Sequence, residues 1–464
     1  MDFEVDANWK LLVQFLPEGW EDKAQELGAL TRRRKIVSAE TLLRILLIHL
    51  ADGCSMRETV VRAREAELVD ISDVALLKRL KSSSEWLRWL SVHLAEQVHL
   101  PVQQPHWLQD FNVRLVDASV ITEPGSTGSD WRLHYSIQLF GLSCDHFQIT
   151  DQTVGESFRN YPVARGDLLI GDRIYGRIAG MNYVAEHGGD FLVRLSNKAF
   201  KVMKNEYEEF NLLDHFRALD YGEIGDFAVF YRVSKDQMRP IRLCVMKKSP
   251  ETAERSKKEV MQAASKKQRS IDEETLELHE YVFVVTSVAR DVLSPEEVMS
   301  LYRMRWQVEL AFKRLKSILG LGHLPKTDPD SAKAWLHGKM VVALLTAAIV
   351  EQGRFFPPGD TLCAYEAEEI PSTLGDEGNP GILEGERDLC PHIGEEDPTQ
   401  TNLWRETSFA FYLLRCAVNP VLSLSKCLER WYLIAKGLAE GNRKRPRQMV
   451  EAYQYRRGVS VPGV

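Results

Sequence analysis

Cysteine is scarce: seven residues in 464, at positions 54, 144, 244, 363, 390, 416 and 427, with no CxxC pair. That excludes a disulfide scaffold and predicts reduced, cytoplasmic thiols. Cys363, Cys390 and His392 fit no standard zinc spacing. Long apolar runs are missing as well. The longest, VVALLTAAIV over 341–350, is too short to cross a bilayer. The opening MDFEVDANWK has no basic stretch followed by an apolar one, so no secretory signal is expected. Tryptophan is absent between Trp131 and Trp306, although the chain holds ten.

A surplus of positive charge is also lacking, since the net charge is −7. The deficit is local. Residues 360–397 carry twelve acidic side chains and one basic one, Arg387, so the rest of the chain sums to about +4. A nucleic-acid partner is therefore compatible with the acidic total. With 44% hydrophobic and 27% charged residues, the composition is that of a soluble globular protein, and the length requires more than one domain.

Residues 1–105 read as all helix. An apolar helix from 38 to 51 follows the basic run Arg32–Lys35. Ser55 and Glu58 have the spacing of a capping box, opening a helix to about 67, and another helix spans 72–81 with Lys78, Arg79 and Lys81. Two short helices about a tight connection fit a helix-turn-helix. Trp86, Trp89 and Leu90 suit a local core. Beyond the break at 101–105 come strand-like segments at 113–121, 131–139 and 146–153, then an apolar strand at 168–170, a helix at 178–186 and a strand at 191–195. Three antiparallel strands followed by alternating helix and strand predict an α/β core with a mixed sheet. Residues 200–290 add strands at 227–233, 241–248 and 281–287, with a polar, basic helix over 251–277. A buried helix at 332–350, an acidic loop insert over 353–403 and a helical end at 404–464, closed by a basic run at 443–447, complete the chain.

The stretch 294–319 reads as one helix started by Ser294, Pro295 and Glu297. At the helical period Tyr302, Arg305, Glu309 and Lys316 share an arc of roughly 60° and span about 21 Å of axis. Leu301, Val308, Phe312, Leu315 and Leu319 form the adjoining core sector. Two further acids stand out. Asp117 interrupts an apolar strand, where a carboxylate is costly unless it is paired or metal-bound. Asp172 ends the strand at 168–170. If those strands are neighbours the carboxylates meet, and a third acid on a crossing helix, Glu309, would complete a site for hard divalent ions.

Those three acids resemble the Asp-Asp-Glu triad of DDE transposases. The spacing Tyr302-x2-Arg305-x3-Glu309-x6-Lys316 matches the Tyr-Arg-Glu-Lys signature of the insertion-sequence family four type. Leu115-Val116-Asp117, Leu169-Ile170-Gly171-Asp172-Arg173-x-Tyr175-Gly176, Gly155-Glu156-Ser157 and Phe191–Leu195 are similar to that family's other motifs. The resemblance covers about 36–350. It implies an RNase H-like mixed-sheet catalytic core (106–199 and 291–352) with a β-rich insertion (200–290), flanked by all-helical N- and C-terminal regions. It also implies cut-and-paste transposition by two-metal phosphoryl transfer through a DNA hairpin, with Asp117, Asp172 and Glu309 holding two Mg²⁺ ions, Mn²⁺ substituting. Arg305 and Lys316 would hold strand phosphates, Tyr302 would bond a phosphate or brace the distorted end, and Arg194 would be a further DNA contact. The implied partners are double-stranded DNA, as terminal inverted repeats and target, and a second copy in a synaptic homodimer. The family's hairpin step stacks a flipped base on an insertion tryptophan, which is absent here; Tyr221, Phe227, Phe230 and Tyr231 are the aromatic substitutes. The competing readings are an inactive transposase-derived repressor and a two-metal nuclease without strand transfer.

Overall fold

A computed structural model of the chain describes residues 2–31, 33–97, 104–125, 131–195, 200–266, 268–322, 324–325, 328–355 and 398–418. The acidic segment 360–397, the basic run at 443–447 and most of the proposed boundary at 101–105 lie outside the described residues. The described residues form two compact units, one of residues up to 82 with 411–418 and the other of the described residues between 83 and 410.

The first unit contains α1 (Asp2–Val13), α2 (Trp20–Glu26), α3 (Ala39–Asp52), α4 (Met56–Glu65) and α5 (Asp73–Ser82). Ser38 and Ser55 cap α3 and α4 by accepting from the amides of Thr41 and Glu58. The carboxylate of Glu58 goes instead to Arg62, so the expected capping box is half formed. Helices α4 and α5 pack together, linked by Arg57–Asp73 (3.4 Å). Asp52, at the end of α3, is buried and shared by Arg62 (2.7 Å) and Arg415 (2.5 Å), which brings the end of the described chain into this unit. Of the three cations expected on α5, Lys78 is exposed and Arg79 reaches the carbonyl of Ala29.

The second unit is built on a nine-stranded mixed sheet. Its strands are β1 (Asn112–Ile121), β2 (Trp131–Gln138), β3 (Cys144–Asp151), β4 (Asp167–Gly171), β5 (Asp190–Arg194), β6 (Val202–Met203), β7 (Ile224–Ser234), β8 (Gln237–Lys247) and β9 (Tyr281–Thr286), in the order β3-β2-β1-β4-β5-β9-β8-β7-β6. The pairs β1–β2 and β2–β3 are antiparallel, and β1–β4 and β4–β5 are parallel. The insertion is not a free-standing body. Its last strand, β9, pairs antiparallel with β5, so the insertion strands extend the same sheet.

After α6 (Ser84–Gln97), α7 (Ile178–Glu186) and α8 (Leu212–Phe216) come α9 (Pro250–Lys266), α10 (Glu273–Leu278), α11 (Pro295–Arg303), α12 (Trp306–Ser317), α13 (Pro329–Phe355) and α14 (Pro398–Val418). Of these helices, α6, α7, α11, α12 and α13 pack on the sheet. Trp86 and Leu90 are buried on α6, which packs on α13 and β3, so the helical region expected to end at 105 gives up its last helix to the sheet unit. Helix α13 is long and apolar enough to cross a membrane, but 78% of that window is buried inside the fold.

Two expected helices are each broken in two. The polar helix over 251–277 splits because Gln268 takes a left-handed φ of 52° and Asp272 starts α10 by capping Thr275. The helix over 294–319 divides into α11 and α12. Amides 304, 305, 307 and 308 bond three residues back, to Leu301, Tyr302, Met304 and Arg305, which tightens one turn into 3₁₀ geometry. No proline or glycine marks that break. The capping box at Ser294 is complete, with bonds of 2.7 and 3.2 Å. Helix α12 ends just before Gly320, which adopts a left-handed φ of +68°, and the Leu321 amide turns back to bond the Leu315 carbonyl.

Candidate active site

Alternation along a strand puts Asp117 on the same face as Leu115, two residues before it. Leu115 pairs with Ile170 on the parallel strand β4, and Asp172 lies two residues beyond Ile170. The register, continued past its last pair to the end of β4, brings the two aspartates near each other, and the Asp172 charge acts on Asp117. Helix α12 packs on β1, held by the Phe312 ring against Tyr135 of β2 at 5.6 Å between centroids. All five residues of the predicted core sector, Leu301, Val308, Phe312, Leu315 and Leu319, are buried. Of the neighbouring polar stripe, Arg305 and Lys316 act on the aspartates.

Fixed hydrogen bonds hold the pair. Asp117 Oδ1 accepts from the Ala118 amide at 2.7 Å, and its carbonyl accepts from the Tyr161 hydroxyl at 2.8 Å. Tyr161 in turn meets the Tyr175 hydroxyl at 3.0 Å. Asp172 Oδ1 accepts from the Ile174 amide at 2.8 Å, forming the turn that folds Tyr175 back under the strand end. Gly171 permits that return, because a Cβ there would lie 2.8 Å from the Cβ of Tyr175.

Burial and the neighbouring Asp172 carboxylate push the Asp117 pKa well above the usual carboxylate range, against the pull of Arg305 and the Ala118 amide. Burial also raises Asp172, opposed by Arg305 and by the amides of Ile174 and Tyr175. Burial lowers Lys316, opposed by the charge of Asp117. The guanidinium of Arg305 thus acts on both aspartates, and it also forms an ion pair with Glu309 Oε1 at 2.5 Å.

Of the sequence-predicted residues, Asp117, Asp172 and Arg305 are in electrostatic reach of one another, and Lys316 of Asp117. Glu309 joins them through Arg305. Among the described residues no three acidic, histidine or cysteine side chains converge closely enough to hold one metal ion. Glu309 is therefore not assembled with the two aspartates as a ligand set in this structure. The aspartate pair itself fits a hard divalent cation, which takes one or two carboxylates and completes its shell with water and phosphate oxygens. Tyr302 and Arg194 are both buried, at 2% and 8% exposure, the first at the end of α11 and the second on β5. Among the aromatic substitutes, Tyr231 is buried and Phe227 packs against Phe210 and His215, while Tyr221 is 67% exposed.

Sequence reasoning assigned no role to Glu156, yet its charge acts on both aspartates. Burial and Asp172 raise its pKa, and Arg132 and Arg177 lower it. Its loop is pinned on both sides: Arg132 donates to the Val154 carbonyl at 2.5 Å and Asn160 to the Gly155 carbonyl at 2.8 Å. The Gly155-Glu156-Ser157 motif was the available signal. Tyr161 carried no sequence signal at all.

A family model described as a transposase DDE domain matches residues 135–345, a range that holds Asp172 and Glu309 and begins after Asp117. InsL of insertion sequence element IS186A from Escherichia coli (strain K12) is 33% identical over 365 residues, covering 77% of this chain and 98% of that protein. The transposase for insertion sequence element IS421 of Escherichia coli is 33% identical over 366 residues, with the same coverage. A solved piggyBac transposase synaptic complex with hairpin DNA is 10% identical, covers 88% of this chain and 81% of that one, and has a TM-score of 0.36, too low to bear on the fold. On the strength of its full-length relatives, the chain belongs to the family of insertion-sequence transposases with a DDE domain.

Proposed function

We propose that the protein excises an insertion sequence at its terminal inverted repeats and joins the freed 3′-OH ends to target DNA, as a transposase of the insertion-sequence family four type. The observation that carries the reading is the pairing of Asp117 and Asp172 on adjacent parallel strands beneath the helix that bears Arg305 and Glu309. The strand order β3-β2-β1-β4-β5, with three antiparallel strands and two parallel additions, supports an RNase H-like core.

In this reading Asp117 and Asp172, with Glu309 as the third acid, would hold two Mg²⁺ ions, or Mn²⁺ in their place. Bound there, the ions supply Lewis-acid polarisation and charge neutralisation at the scissile phosphate. The side chains do the rest. Asp117 and Asp172 are prepositioned by the Ala118 and Ile174 amides. Arg305 and Lys316 hold strand phosphates through charge-assisted bonds, and Tyr302 and Arg194 brace the walls behind them. No covalent enzyme intermediate is required, because the attacking groups are water and then the DNA 3′-OH. Helices α4 and α5 act as the helix-turn-helix that reads the ends, with exposed Lys78 toward the backbone. The hairpin route uses Tyr221 as the stacking platform, the exposed member of the aromatic set. The working form is a synaptic homodimer on bacterial DNA in the cytoplasm.

The test is incubation of the full chain with Mg²⁺ and a duplex carrying the inverted repeats that flank its gene. Nicks at the end, hairpins and joined products are expected. Nicks without joining would identify a plain nuclease, and binding without cleavage a repressor.

A further inference from the structure

We propose that Tyr161 is a positioning residue for DNA cleavage: its buried hydroxyl ties β1 to the turn after β4 and so sets the separation at which Asp117 and Asp172 bind metal together. This rests on the proposed transposase reading and its metal site. The last pair of the β1–β4 ladder, Leu115 with Ile170, stops two residues short of each aspartate. Beyond it, the Tyr161 hydroxyl donates to the Asp117 carbonyl at 2.8 Å and meets the Tyr175 hydroxyl at 3.0 Å. Tyr175 belongs to the turn that follows Asp172, where its amide bonds to the Asp172 carbonyl at 3.1 Å. A path through two tyrosines therefore joins the backbone of one aspartate to that of the other.

The direction of this path is fixed. A carbonyl only accepts and a phenol carries one proton, so Tyr161 gives its proton to Asp117 and Tyr175 donates to the Tyr161 oxygen. Each bond polarises the next. Both rings are 1% exposed, and burial raises both phenol pKa values, so both remain protonated donors. The Tyr161 ring stands edge-on to His134 and His146, at 6.4 and 6.0 Å between centroids, which limits its tilt. His134 is itself fixed at both ring nitrogens, by Asn160 at 3.1 Å and Thr150 at 3.0 Å. Burial lowers its pKa to about 4, which keeps it neutral. Tyr161 thus acts through the Asp117 backbone, and groups that orient a metal ligand without touching the metal tune its affinity.

The experiment titrates Mn²⁺ into the full chain by electron paramagnetic resonance, beside thermal melts and cleavage of the inverted-repeat duplex. Tyr161→Phe keeps the ring and removes the hydroxyl. It should weaken Mn²⁺ binding about tenfold, the low end of the usual range for such outer partners, leave duplex binding unchanged and recover part of its lost cleavage at high Mn²⁺. Tyr175→Phe should weaken Mn²⁺ binding in the same direction. The double variant should be no weaker than Tyr161→Phe, because Tyr175 acts through the Tyr161 oxygen. Tyr183→Phe is the control. It removes a hydroxyl that donates to the Tyr161 main-chain carbonyl at 3.1 Å, so it should lower the melting temperature and leave Mn²⁺ affinity at the wild-type value. Wild-type Mn²⁺ affinity in Tyr161→Phe would overturn the inference, as would an equal loss in Tyr183→Phe or additive effects of Tyr161→Phe and Tyr175→Phe. If Tyr161→Phe does not fold, Tyr175→Phe decides by the same comparison with Tyr183→Phe. Loss of Mn²⁺ binding in Asp117→Asn is expected; an unaltered affinity there would instead overturn the proposed site itself.

Discussion

At the scale of the residue, the site is an electrostatic conflict held in place by hydrogen bonds. Asp117, Asp172 and Glu156 all have raised pKa values in the folded chain. Folding therefore binds protons between the unfolded and folded values, and the stability of the metal-free protein falls as pH rises through that interval. Asp117→Asn removes the most perturbed of the three. It should raise the melting temperature of the metal-free protein at neutral pH, by about 1 kcal/mol of stability, and flatten the decline with pH. A thermal melt series from acid to neutral pH would show it, and a lower melting temperature in the variant would count against the conflict. Asp117 was legible because a carboxylate amid Leu115, Val116, Val120 and Ile121 needs a reason. Glu156 was not, because it lies in a loop whose position depends on Arg132 and Asn160, side chains on other segments.

Among the elements, α12 and the strands beneath it hold the candidate site, and the insertion sets where that helix system begins. Arg242 of β8 is buried; it donates to the carbonyls of Val288, Ala289 and Leu293 at 3.1, 3.2 and 2.9 Å and pairs with Asp226 at 2.8 Å. Those carbonyls immediately precede the cap of α11. Arg242→Ala leaves the buried Asp226 with the exposed Arg290 and the weak donor Cys244 Sγ beside it, and should cost about 3–5 kcal/mol. A urea denaturation curve would measure it, and a loss under 1 kcal/mol would refute the clamp. On α12 itself, Lys316→Ala should weaken binding of a DNA end and reduce the slope of log affinity against log salt by about one. An unchanged slope would remove Lys316 from the phosphate path. Periodicity identified the buried face of this segment, from Leu301 to Leu319, but not its division. The break is a run of three-residue backbone bonds without proline or glycine, and a hydrophobic pattern is almost the same on either side of it. The insertion strands were likewise legible one by one. Their addition to the core sheet was not, because the β5–β9 pairing joins residues nearly a hundred positions apart.

Over the whole molecule, the mixed sheet brings three distant segments to one place: β1, the end of β4 and α12. Neighbouring parallel strands were foreseeable from the order of elements, and the adjacency of Asp117 and Asp172 followed from it. The position of Glu309 did not follow, since the structure pairs it with Arg305 instead of the aspartates. Chain-wide charge misleads in the same way that local sequence does. The −7 total reflects the segment 360–397, whereas the triad's surroundings contribute Arg305 and Lys316. The central claim is that these three acids together cleave DNA at the ends of an insertion sequence. The most direct measurement is cleavage of an inverted-repeat duplex in Mg²⁺ by wild type and by Asp117→Ala, Asp172→Ala and Glu309→Ala, with duplex binding measured alongside. Cleavage should fall by about a thousandfold or more in each variant while binding persists; a Glu309→Ala protein that cleaves at the wild-type rate would contradict it.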